Sequence, residues 1–266
     1  MRVFTFINGL LPTRRFPAAM FVVLVFVSLN SFADVIKWRG GNGSTATDWN
    51  TGDNWDLKRV PGINDDVVIG DTDMANNKDG PVINDWADYT VKSLTIGEGK
   101  AVEFYMAPRS MRVTGDVKIG ANGYLRNIGA QTFYGGSFTV AAGGRYSEVA
   151  YAENSGKGNA SKVWPVTEFY GTGIISGLTV TDVNRGFSNL KISGSITLGS
   201  VLNLTTVQAV NTKNNNVSLT IPAQLYVTGT LNPANHAVKF EGSATASGLV
   251  FEVAQGAQSM LQEQIS

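Results

Sequence analysis

The chain has 266 residues, with 21 Lys and Arg against 21 Asp and Glu, one His and no Cys. There is no Lys/Arg block of the kind that neutralises phosphate backbones, so nucleic acid is not an expected partner. The lack of Cys excludes thiol nucleophiles, thiolate zinc sites, iron–sulfur clusters and disulfides, so stability must come from a large core or a long hydrogen-bonded ladder.

The first 33 residues read as a signal peptide. Arg2, Arg14 and Arg15 precede an apolar run from Ala18 to Leu29, and Ser31-Phe32-Ala33 is a small-x-small cleavage pattern. About a dozen apolar residues is too short for a membrane span, which disfavours the competing reading of an uncleaved anchor. The mature chain is expected to start near Asp34, with 18 basic residues against 21 acidic ones once the three leader Arg are removed. It contains no later run long enough to be transmembrane, and the expected location is secreted, at a bacterial cell surface or extracellular. An exported chain without Cys is more typical of bacterial envelopes than of eukaryotic secretion. The sequons at Asn42, Asn159, Asn203 and Asn216 matter only in a eukaryotic source.

Residues 34–90 are predicted to form an N-terminal cap and first coil. Three of the five Trp (Trp38, Trp49 and Trp55) lie here among Gly, Asn and Asp. Val60-Pro61-Gly62 is expected to turn the chain into a first strand, "DDVVIGD" (65–71), with Val67 and Ile69 on one face. The acidic stretch that follows offers Asp71, Asp73, Asp79 and Asp85, with Asn76 and Asn77, as oxygen ligands for Ca²⁺. The spacing fails the EF-hand order, and the plainer reading is a solvated turn in which Asp and Asn bond their own backbone. No other cofactor is expected.

From 91 to 252, short alternating apolar runs are punctuated by Gly or Asn, as in "VKSLTIGEG" and "SMRVTGDVKIGANGYL". The units Leu94-Thr95-Ile96-Gly97, Arg112-Val113-Thr114-Gly115, Lys118-Ile119-Gly120, Lys191-Ile192-Ser193-Gly194 and Tyr226-Val227-Thr228-Gly229 each set an apolar residue just before Gly. The first two of them lie 18 residues apart, close to one solenoid turn. The fold class is therefore all-β, a parallel β-helix (β-solenoid) with a Trp-rich N-terminal cap. A β-sandwich is the alternative, supported by hairpin signals such as Asn122-Gly123. Within this region, 151–173 reads as an inserted loop, and 253–266 as a C-terminal tail or cap.

A solenoid has open ends where strand edges meet water, and repeat proteins cover them with atypical segments. The three Trp are expected to do this, each indole N–H finding a loop carbonyl. Here the pattern "W-x-GG-x-G … DW … NW … VPG-x-NDDVVI … V-x-SLTIGEG" resembles the opening of secreted bacterial right-handed β-helix proteins, the autotransporter-passenger and adhesin-like group. It is carried by Trp38, Gly40, Gly41, Gly43, Asp48, Trp49, Asn54, Trp55, Pro61, Asp65, Asp66, Val67, Val68, Ile69, Ser93, Leu94 and Ile96. The resemblance implies surface display, adhesion or a matrix role more often than catalysis.

The function expected is that of an exported, non-enzymatic adhesin-like or structural protein, self-assembling through solenoid ends. Glycans or host and cell-surface components are the expected partners. The alternative is a carbohydrate-active enzyme, such as a lyase or hydrolase, or a carbohydrate-binding module. Exposed aromatics stack on sugar rings, and Tyr146, Tyr151, Trp164, Phe169 and Tyr170 cluster around the inserted loop; of these, Tyr151, Trp164, Phe169 and Tyr170 are the binding candidates. The competing reading is a loop pinned by its own apolar residues. Asp116, Glu148, Glu153, Glu168, Asp182, Arg185 and Lys191 supply carboxylates and bases, but no spacing singles out a catalytic pair. His236 has no nucleophile motif beside it and reads as a polar corner residue.

Overall fold

The computed structural model describes residues 33–41, 43–75, 79–128, 130–149, 151–154, 160–164, 167–178, 187, 189–205, 207–210, 218–221, 223–241, 250–253 and 258–259. Apart from Ala33, the expected leader lies outside them. The described residues form short strands and only two 3₁₀ turns, Gly43–Thr45 and Gly52–Asn54. No helix among them is long and apolar enough to cross a membrane.

The chain visits three sheets in rotation. The nine-stranded sheet A runs from Val35–Lys37 through Asp66–Ile69, Ser93–Ile96, Val117–Ile119, Phe138–Val140, Thr172–Ser176, Ser195–Leu198 and Thr230–Asn232 to Gln258–Ser259. The seven-stranded sheet B holds Asp88–Val91, Ser110–Val113, Gln131–Tyr134, Thr167–Phe169, Asn189–Ile192, Gln224–Val227 and Val250–Val253. The four-stranded sheet C holds Val82–Ile83, Val102–Met106, Gly123–Ile128 and Arg145–Val149, and later coils place the pair Leu202–Thr205 and Val238–Glu241 at the equivalent step. Pairing in all three sheets is parallel, as in Val67 with Leu94 and Leu94 with Val117. This is a parallel β-helix, and it excludes the sandwich, whose hairpin-linked strands would pair antiparallel.

Alternation explains the core. Val67, Ile69, Leu94, Ile96, Val117 and Ile119 point inward and are buried, while Asp66, Ser93, Thr95 and Lys118 take the outward positions between them. Farther along, Tyr134, Phe138, Tyr146, Phe169 and Phe187 fill the interior, with ring centroids 5.0–6.1 Å apart.

Glycine sets one corner of the coil. A Cβ on Gly171 would lie 1.8 Å from the carbonyl oxygen of Gly135, on Gly194 1.9 Å from that of Gly171, and on Gly229 2.1 Å from that of Gly194. Each of these residues lies two positions past a sheet B strand and leads into sheet A, and the backbones of successive coils touch there. Only a residue without a side chain fits.

In most steps, backbone bonds between adjacent coils join residues 20 to 32 apart, as Val117 to Ser137 and Asp66 to Asp34. Two steps are longer: Thr132 meets Thr167 at a separation of 35, and Thr228 meets Ile192 at 36. Each long step contains a hairpin. The expected loop 151–173 is in fact the hairpin Tyr151–Asn154 with Ala160–Trp164, after which Thr167–Phe169 and Thr172–Ser176 are ordinary coil strands. A second hairpin, Val207–Val210 with Ser218–Ile221, pairs beside the first through Tyr151 and Val210.

Other expectations need correction. The first strand is Val35–Lys37, ahead of the Trp loop, and it pairs in register with Asp66–Val68. The turn before Asp66 is closed by the Asp65 N–H on the Gly62 carbonyl, so it lies after Pro61 rather than around it. Asn122-Gly123 makes no hairpin, because Gly123 starts a strand parallel to Val102–Met106. The expected tail 253–266 contributes Gln258–Ser259 to sheet A, and 254–257 and 260–266 lie outside the described residues. Asn203 is buried with its amide on the Leu178 carbonyl, so it is no glycan acceptor in the folded chain.

The Trp loop closes the first coil. Trp38, Trp49 and Trp55 are fully buried. Trp55 meets Trp38 and Trp49 edge-on at 4.9 and 4.8 Å, and Trp49 stacks on Phe104 of the next coil at 5.1 Å. The free edge of Val35–Lys37 is occupied by the same loop: the Asp56 N–H bonds the Lys37 carbonyl, and the Lys37 N–H bonds the Asp56 carboxylate. Two indoles find carbonyls as expected, Trp38 on Asp79 at 2.8 Å and Trp55 on Trp49 at 2.9 Å. The third does not, since the buried Trp49 N–H has no partner among the described residues.

Candidate functional site

Two adjoining hollows lie where the cap meets the outer face of sheet C. The larger, of about 550 Å³, is lined by Thr47, Asp79, Val82, Val102, Glu103 and Tyr105 among others. The smaller, of about 290 Å³, is lined by Asp85, Trp86, Pro108 and Ile128. Asn84 and Tyr105 line both, so the two form one cleft.

The local sequence builds this cleft directly. Alternation along Val102–Met106 sends Val102, Phe104 and Met106 inward and turns Glu103 and Tyr105 out. Register then places Arg126 beside Tyr105 and Tyr124 beside Glu103. The Arg126 guanidinium lies 5.7 Å from the Tyr105 ring centroid and 3.6 Å from the Glu103 carboxylate. Gly80 approaches the Glu103 backbone so closely that a Cβ would sit 1.8 Å from its carbonyl oxygen, which brings Asp79 to the same wall.

Trp86 is the outstanding surface residue, 61% exposed. It sits in the turn between Val82–Ile83 and Asp88–Val91, and that turn is held firmly. The Tyr89 hydroxyl donates to Asp85 at 2.6 Å, and the Asn50 amide donates to both Asp85 (3.0 Å) and the Tyr89 oxygen (2.8 Å). Burial, together with the Asp85 carboxylate, pushes the Tyr89 hydroxyl up to about 12, so it stays a neutral donor at ordinary pH.

The residues singled out from sequence lie elsewhere. Phe169 is fully buried between Tyr134 and Phe187, which leaves it no face for a ligand, and Tyr146 is buried in the same cluster. Both look like loop residues until register shows that they face inward. Tyr170 is half-buried on the outer face of sheet B, where Arg112 lies over both its ring (4.9 Å) and that of Phe133 (4.6 Å). The backbones of Tyr151 and Trp164 pair in the first hairpin, and their side chains lie outside what is described.

The calcium candidates among the described residues do not gather into one oxygen site. Asp71 faces Lys37 at 3.0 Å and Arg39 at 2.9 Å, and Asp73 faces Lys37 at 3.4 Å, while Asp79 lies on the cleft and its carbonyl receives the Trp38 indole. Burial alone would raise the Asp71 carboxyl, but the bond from Lys37 and the charge of Arg39 hold it below the usual carboxylate range. Among the described residues, no three His, Cys, Asp or Glu side chains form a group able to hold a metal. Asn76 and Asn77 lie outside the described residues.

The remaining carboxylates act locally. Asp116 accepts the Ser137 N–H at a corner, Glu168 pairs with Lys191 at 3.1 Å, and the buried Glu148 accepts bonds from Tyr146 and Thr167. Asp182, Arg185 and the side chain of Glu153 lie outside what is described. His236 sits at a turn, its N–H on the Pro233 carbonyl.

Trp86, the residue that marks the cleft, was missed in the sequence. It stands in the polar stretch "NDWAD", away from the Trp cluster and the alternating runs. A lone Trp in a polar turn was the available signal. Comparison with protein-family models, with curated proteins and with solved structures found no significant match.

Proposed function

We propose that this is an exported, non-enzymatic surface or matrix protein whose β-helix presents the Trp86–Tyr105 cleft to glycans. The observation that carries the reading is the exposure of Trp86 on a turn fixed by Asp85, Tyr89 and Asn50, next to the outward Tyr105. A large aromatic side chain held rigidly in water is costly to leave uncovered, and its flat face matches the apolar face of a sugar ring. The parallel ladder behind it supplies a stiff backing, so little ordering entropy is lost on binding. The resemblance of the Trp-rich opening to adhesin-like β-helix proteins supports the same reading. The cap loop along Val35–Lys37 disfavours strand addition at that end and directs attention to the lateral face.

The enzymatic alternative draws on one observation, that Asp79 and Glu103 line the same hollow. A single experiment separates the two. On a glycan array, the wild-type chain is expected to retain one or more glycans without shortening them, and Trp86→Ala to weaken retention by about tenfold, or roughly 1.4 kcal/mol. Release of shortened products, lost in Asp79→Asn, would establish the enzyme instead, and absence of retention would overturn both.

A further inference from the structure

The charge of the cleft narrows the glycan class. Three carboxylates surround it: Asp79 and Glu103 in the larger hollow and Asp85 in the smaller. Among the described residues, one guanidinium answers them. Arg126 is already committed, 3.6 Å from Glu103 and over the ring of Tyr105. The nearby Arg109 is paired with Asp88. Among the described residues, Asp85 receives only the neutral donors Tyr89 and Asn50, which leave its charge uncompensated. Asp79 engages through its carbonyl, and its carboxylate has no ion pair among the described residues. The cleft therefore presents an excess of negative charge beside two aromatic rings.

Resting on the reading of the cleft as a glycan site, we infer that it selects glycan chains carrying free amino groups, protonated to ammonium, over N-acylated or uronate-bearing chains. An ammonium group gains from Asp79 and Asp85 by direct charge attraction, and from the rings of Trp86 and Tyr105 by cation–π attraction. Arg126 shows the mode within the protein itself, a cation held between a carboxylate and Tyr105. A neutral acetamide gains only the stacking. A carboxylated sugar meets like charge, which disfavours the wrong partner more strongly than it rewards the right one.

The test uses three probes of one length on the intact chain: a glucosamine oligomer, its fully N-acetylated counterpart and a galacturonate oligomer. Affinities are measured by calorimetry at a pH where the amine is protonated. The glucosamine oligomer is expected to bind about tenfold or more tighter than the acetylated one, with galacturonate weakest. Asp79→Asn is expected to reduce that preference several-fold with an unchanged thermal midpoint, and added salt to reduce it in the wild type. Equal or tighter binding of the acetylated oligomer, still lost in Trp86→Ala, would overturn the amine preference and leave the glycan reading standing. Preference for galacturonate would overturn it likewise. Failure of all three probes would overturn the glycan reading with it.

Discussion

Arg59 grips Asp65 with both prongs of its guanidinium, at 2.5 and 2.7 Å, and the same carboxylate accepts the Gly62 N–H at 2.6 Å. Arg59 also reaches Asp34 at 2.8 Å. One buried carboxylate, through Arg59, thus ties together Asp34, the turn after Pro61 and the strand Asp66–Ile69.

That tie carries a pH signature. The Arg59 bonds hold the Asp65 carboxyl below its usual range. A carboxylate depressed in the folded state contributes stability above its unfolded value of about 3.9, and that contribution is lost as pH falls through the folded value. Asp65→Asn should cost about 1–3 kcal/mol at neutral pH, an estimate tempered by the partial exposure of Arg59. It should also flatten the acid limb of the stability curve. Urea titrations of both proteins from neutral pH downward check this, and parallel acid limbs would show the pair to be unimportant.

The three indoles should respond differently to loss of their N–H. Trp55→Phe leaves the Trp49 carbonyl without its buried donor, and Trp38→Phe does the same to Asp79, so each should cost about 1–3 kcal/mol beyond lost area. Trp49→Phe removes a donor that has no partner among the described residues, and should be the mildest of the three. Chemical denaturation of the set would reveal the order.

Gly194→Ala should be severe for a residue change of one methyl group. Its Cβ would meet the Gly171 carbonyl at 1.9 Å, so two coils must separate to admit it. A loss of about 3 kcal/mol, the upper part of the overpacking range, corresponds to a fall in Tm of roughly 6–12 °C in a chain of this size. Calorimetry on Gly194→Ala alongside an exposed control such as Thr72→Ala checks the effect.

Tyr89→Phe tests the support behind Trp86. Removing the hydroxyl strips Asp85 of its shortest bond and should weaken glycan retention several-fold with a loss of no more than about 1.5 kcal/mol in stability. In the wild type, spectrophotometric titration should place the ionisation of this phenol near 12.

Much of this fold was legible in the sequence because its elements are local and repeated. "SLTIGEG" shows the inward Leu94 and Ile96, the outward Ser93 and Thr95, and the Gly97 corner. The strand Val35–Lys37 was not, since three residues carry too little alternation to stand apart from a Trp-rich loop. Phe169 was misjudged because its inward direction is set by pairing with Tyr134, a neighbour distant in the chain. The hairpins were hidden because their strands flank polar stretches rich in Gly, Asn and Ser, which read as loop. The cleft was hardest, as it arises where a cap residue, a turn and the outward side of sheet C happen to adjoin.

Both hairpins leave the coil at the same step, after Arg145–Val149 and after Leu202–Thr205, and both return to sheet B, at Thr167–Phe169 and Gln224–Val227. The next corner, from sheet B to sheet A, is the one where Gly171, Gly194 and Gly229 leave no room between backbones. One vertex of the coil thus accommodates extra chain while another forbids even a methyl group. Foreign peptides grafted at the first vertex should leave the stack in register, so it is the natural place to install a tag, an epitope or a new recognition loop.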